Sequence, residues 1–170
     1  FHTSAYKTSE DFFAALTQGI AIIHEVVGLE VAERLGLRYV DAFEADPDHR
    51  LAAYFHPGVR GIALDEIGAT QPRLLVNLVA DTQIGGRLVI RLSQNTGTGF
   101  LPPDLYPMEL DLHQQFDPGG EIAVLDYDHF IERVMPFSVE DILHVFGALH
   151  QVTSGAFRMT VSDFALQAWR

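Results

Sequence analysis

The sequence predicts an α+β domain: an antiparallel sheet of about five strands with helices packed on one face. Two observations carry this. Apolar residues recur at helical spacing near both ends of the chain. Between them lie stretches of period-two patterning, bounded by glycine and proline, that read as hairpins. The 170 residues form one domain's worth of chain, 1–170, with no repeat, low-complexity tract or dividing linker.

The elements follow in order. Thr8 with Asp11 three residues on makes a capping-box-like start, and Phe12, Phe13, Leu16, Ile20, Ile23 and Val27 then form a helical stripe that Gly28 stops, placing a helix over 9–27. In "RLGLRYVDAF", 34–43, Leu35, Leu37 and Tyr39 alternate with Arg34, Gly36, Arg38 and Val40, which predicts a strand with one buried face. "LAAYFHPG", 51–58, reads as a short helical or irregular piece. The apolar runs 73–82 and 86–94 flank Gly85 and Gly86 and predict a hairpin. "NTGTGFLPPDLYP", 95–107, is a loop; 108–116 and 122–134 are expected to pair as a second hairpin. Ser138 with Asp141 starts another helix, expected to break at Ser154 and Gly155. Thr160 or Ser162 caps a last short one.

Composition narrows function. Without cysteine there are no disulfides, zinc–thiolate sites or thiol catalysis. A net charge of -12 repels phosphate backbones, so nucleic acid is not the expected partner. No apolar run approaches the roughly 18 residues of a membrane helix, and no signal peptide is visible. The expectation is a cytoplasmic protein without a membrane partner. The start at Phe1 fits the C-terminal part of a longer chain.

Several constellations could carry chemistry. Arg34 and Arg38 share a strand face notched by Gly36, about 13 Å apart, and could hold an anionic ligand; alternatively, both pair with acidic neighbours on adjacent strands. Asp111 and His113 lie two apart on one predicted strand, and Asp126 and Asp128 on the next, with His129 facing the other way. Side by side they could ligate a divalent metal, or they could be the solvated side of the sheet. Adjacent carboxylates would repel without a cation or a basic partner. His144 and His150, six apart, sit some 120° from one another on a helix and make no ligand pair. His24-Glu25 lacks the second histidine of a zincin, and "NTGTG" lacks the lysine of a phosphate loop. Phe12, Phe13, Phe146, Phe164 and Trp169 read as core. Tyr54, Phe55, Phe100 and Tyr106, in loop-like regions, could build an apolar pocket or patch.

The strings "RLGLRYVD", "VLDYD" (124–128), "YKTSEDFFAAL" (6–16) and "LHQVTSGAFRMTVSDFALQAW" (149–169) together resemble an uncharacterised, sporadically distributed bacterial family with an R-[IL]-G-L-R-Y-[IV]-N core strand. Asp41 stands where that pattern has asparagine. The resemblance implies a fold and a longer N-terminus, and no chemistry. The function expected on this reading is a non-enzymatic module binding a protein partner, a second copy of itself (a homodimer) or a ligand. The alternative is a small-molecule-binding enzyme, metal-dependent or not, with a pocket between sheet and helices. Arg38 would then anchor an anion, and Asp126, Asp128 and His113 would be the acid–base or metal groups.

Overall fold

The computed structural model describes all residues except 63, 69–72, 97–100, 106–115, 118 and 170. Among the described residues the fold is α+β, with three α-helices and one antiparallel sheet of four strands in the order β1-β4-β3-β2. The strands are β1 (Val31–Glu44), β2 (Leu75–Asp81), β3 (Arg87–Thr96) and β4 (Glu121–Pro136); the helices are α1 (Ser9–Val27), α2 (Val139–Thr160) and α3 (Asp163–Ala168). The fifth strand expected over 108–116 falls almost entirely outside the described residues, as do Asp111 and His113.

Local chemistry sets the helix ends. The Thr8 hydroxyl accepts from the Asp11 amide at 3.1 Å, and Gly28 takes a left-handed φ of 64° while its amide closes on the His24 carbonyl. Ser138 caps α2 through the Asp141 amide, and Ser162, rather than Thr160, caps α3 through the Ala165 amide. Helix α2 does not break at Ser154 and Gly155. Its buried face of Ile142, Val145, Phe146, Leu149 and Thr153 outweighs the ~1 kcal/mol that a helical glycine costs.

β4 is the central strand. Its odd residues, with Leu35, Leu37, Tyr39 and Phe43 of β1 and Leu92 of β3, face the helices and form two clusters. One joins Leu35, Leu37 and Ile131 to α2 and to Phe12, Phe13, Leu16 and Ile20 of α1. The other joins Phe43, Leu92, Leu125 and Tyr127 to Tyr54, Phe55, Val161 and Ala165. The α1 stripe does not stay covered to its end: Ile23 and Val27 are more than half exposed, and with Ile22, Val26, Val31 and Val134 they are large apolar side chains left in water. The helix outruns the α2 face it packs against.

The β2–β3 hairpin turns through Thr82 to Gly86, with Gly85 at φ 77°. Gly86 lies so close to β4 that a Cβ would meet the Phe130 carbonyl at 2.8 Å. This brings Thr82 beside His129, which is fully buried. The Leu149 carbonyl, 3.2 Å from Nδ1, can only accept, so Nδ1 carries the proton; Nε2 lies 3.1 Å from the Thr82 hydroxyl. One neutral imidazole thus ties the hairpin, β4 and α2 together. Burial holds its pKa below 6.5, against smaller opposing effects of the Leu149 bond and Asp128.

Because unfolded His129 takes a proton more readily than folded His129, the unfolded state gains protons first as pH falls. The stability from neutral His129 is complete above about pH 6.5 and is lost as pH drops below it. Denaturant unfolding between about pH 7.5 and 5.5 should show stability falling with pH, and His129→Gln should flatten that slope whatever its effect on absolute stability. An unchanged slope in the variant would remove His129 from the account.

Candidate functional site

Two regions carry chemistry, one on each face of the sheet. On the face away from the helices, Asp126 is only 2% exposed. Arg38 of β1 donates to its carboxylate from Nε and Nη2 at 2.7 and 2.9 Å, and Arg91 of β3 donates from Nη1 at 2.9 Å. Arg38 also grips Asp104, in the 3-10 turn Pro103–Leu105 of the β3–β4 connection. Its guanidinium hydrogen bond lowers the Asp104 pKa, and the bonds to Asp126 and Asp104 raise that of Arg38. Arg38 and Asp126, both expected to matter, are therefore brought together, but as mutual partners, and Arg91 and Asp104, which the sequence did not single out, join them. Arg34 lies 3.5 Å from Glu132 and 3.9 Å from Asp128, and stacks 4.5 Å over the Phe130 ring. The notch at Gly36 is filled by this same guanidinium, whose Nη1 would lie 3.0 Å from an added Cβ. Asp126 and Asp128 each lie beside an arginine, while Asp111, the neighbour whose repulsion was anticipated, lies outside the described residues. Among the described residues no three histidine, aspartate or glutamate side chains converge on a point that could hold a metal.

This face is also not simply solvated. Ile122, Val124 and Val89 are buried around Asp126, and Leu101 of the β3–β4 connection is buried as well. A buried carboxylate needs compensation, and two guanidiniums supply it.

The second region is an open cleft of about 750 Å³ at the C-terminal end of β1. Its aromatic wall comes from separated parts of the chain: Phe43 of β1, Tyr54, Phe157 of α2, Phe164 of α3 and Trp169 just beyond it. The rings pack edge to face or stacked, Phe43–Trp169 at 4.8 Å, Tyr54–Phe164 at 5.1 Å and Tyr54–Trp169 at 5.8 Å. Backbone bonds hold the wall. The 3-10 turn Leu51–Tyr54 is stapled to the α2–α3 junction by the Ser162 amide on the Tyr54 carbonyl, the Ser162 hydroxyl on the Ala53 carbonyl, and the His56 amide on the Thr160 carbonyl. The Tyr54 hydroxyl accepts from the Asp46 amide at 3.0 Å, so the ring is fixed at both ends.

Carboxylates line the same cleft. Asp46 accepts from the Asp48 amide at 2.9 Å, whereas Glu44, opposite Ile122, turns to the other face of the sheet and accepts from the Asp117 amide at 2.7 Å. Asp41 is exposed at the surface, yet neighbouring protein atoms desolvate its carboxyl and raise its pKa. His49 lies 3.6 Å from Asp46 and packs on Phe164. Elsewhere on the helix side, His150 meets the Tyr39 hydroxyl at 3.0 Å while His144 is exposed on another face of α2, so the two do not converge.

Of the aromatics expected in a pocket, Tyr54 is there, Phe55 is core, and Phe100 and Tyr106 lie outside the described residues. Phe164, expected as core, packs partly buried against the core while also lining the cleft; Trp169, expected as core, is exposed at the cleft instead. Compared with family models, curated proteins and solved structures, the chain finds no match in any of the three. No described helix is long and apolar enough to cross a membrane.

The Arg38–Asp126–Arg91 cluster makes an asymmetric prediction. Arg38→Met leaves a buried carboxylate with one partner and should cost about 2–4 kcal/mol, whereas Asp126→Asn leaves two part-exposed arginines that can rehydrate and should cost about 1–2 kcal/mol. Chemical denaturation of both variants checks the order. Equal costs, or the reverse order, would mean that the carboxylate's burial does not control this face.

Proposed function

We propose that this chain is a non-enzymatic ligand-binding module whose site is the aromatic cleft at the end of β1. The observation that carries the reading is convergence. Five rings from β1, the Leu51–Tyr54 turn, α2, α3 and the residue following α3 meet around one concavity of a size suited to a small organic molecule. Phe43 and Tyr54 are buried at the back of this wall and belong to the core, while Trp169 at its rim is 41% exposed. The lining offers binding surface more than catalytic machinery. Its one hydroxyl, on Tyr54, is engaged by backbone, and its one histidine rests against Asp46. An enzyme built on Arg38 as an anion anchor has less support, because that guanidinium already holds two carboxylates.

Trp169 is the only tryptophan, so its emission reports on the cleft. Titration with Nile red, a neutral apolar dye, should give saturable dye emission together with quenching of Trp169. Phe164→Ala should weaken binding by about tenfold. Ala168→Phe, which fills the cleft from an exposed position, should abolish it without removing any core side chain. Val26→Asp, on the exposed end of α1, controls for dye on that apolar surface. Dye binding that survives Ala168→Phe and disappears with Val26→Asp would overturn the assignment.

A further inference from the structure

The chemistry of the cleft specifies its occupant more closely. Resting on the ligand-binding reading, we infer that the cleft takes a small organic cation, an alkylammonium such as a quaternary amine. Ring faces present negative potential and attract a cation within about 6 Å of the centroid. Asp41 and Asp46 add two carboxylates to the same lining, whose described residues include neither lysine nor arginine.

The contrast with the rest of the sheet gives this weight. Asp126, Asp128, Glu132, Asp104 and Asp81 each sit beside an arginine. Among the described residues the cleft carboxylates Asp41 and Asp46 do not. Asp46 is oriented by the Asp48 amide, which fixes direction without cancelling the charge, and has only His49 beside it, at 3.6 Å. Asp41 has no hydrogen-bond or ion-pair partner among the described residues. Two carboxylates with no lysine or arginine among the described lining residues, beside aromatic rings, in a chain of net charge -12, make a negative concavity with an apolar floor. An anion is repelled there, and a bare metal ion gains nothing from the rings. A cation carried on hydrocarbon satisfies both surfaces.

The test compares choline with its neutral isostere 3,3-dimethylbutan-1-ol, which has the same shape without the charge. Trp169 emission should titrate saturably with choline at an affinity about tenfold or more above that for the alcohol. Added sodium chloride should weaken choline and not the alcohol, and Asp41→Asn should weaken choline by about threefold to tenfold. If Nile red still binds the cleft but choline shows no advantage, or Asp41→Asn leaves choline unaffected, the charge inference fails and the cleft assignment stands. If neither Nile red nor choline binds, both fail.

Discussion

A carboxylate in the middle of a central strand must be neutralised, and Asp126 is neutralised from both sides at once. Arg38 reaches it from β1 and Arg91 from β3, so one buried charge depends on two separate strand pairings. Sliding either neighbour by one residue would turn its arginine to the helix face and leave Asp126 short of a partner. The apolar residues on the helix face impose the same register from the other side. The two faces therefore specify one alignment by different means, packing above and charge below. With that alignment fixed, Phe43 comes to lie at the end of β1 opposite Ala123, where the wall of the cleft begins.

The division of labour between the faces also separates structure from binding. Charges on the side away from the helices are consumed internally: Arg34, Arg38, Arg87 and Arg91 are each matched by an aspartate or glutamate, and the glycine notch is occupied by Arg34. Charges at the end of β1 are left over. Paired groups stabilise and unpaired ones remain available, so surplus charge is a better guide to a ligand than total charge.

Much of the scaffold was legible because its signals are local. Thr8, Gly28, Ser138 and Ser162 each act within a few residues, and Gly85–Gly86 needs only its own turn. The site was far less legible. Arg34 and Arg38 stood out as charges on a strand, but their acidic partners lie some ninety residues away, across β4, and Asp126 could equally be read as a metal ligand. Phe157, Phe164 and Trp169 sit at spacings that a buried helix would show, and nothing local distinguishes a ring facing the core from one facing a cleft. That distinction depends on the Ser162 and His56 bonds, which join residues roughly a hundred positions apart. The break expected at Ser154–Gly155 failed for the converse reason: a local weakness was overridden by a long apolar face.

The uncovered end of α1 has a colloidal consequence. Ile22, Ile23, Val26 and Val27 stand in water, and at neutral pH the net charge of -12 keeps such surfaces on different molecules apart. That repulsion depends on pH, whereas the apolar area does not. Near the isoelectric point of about 4.9 the charge vanishes and the attraction between α1 ends is unopposed. The acidity of this chain thus acts as a dispersant for a helix that the fold does not finish burying.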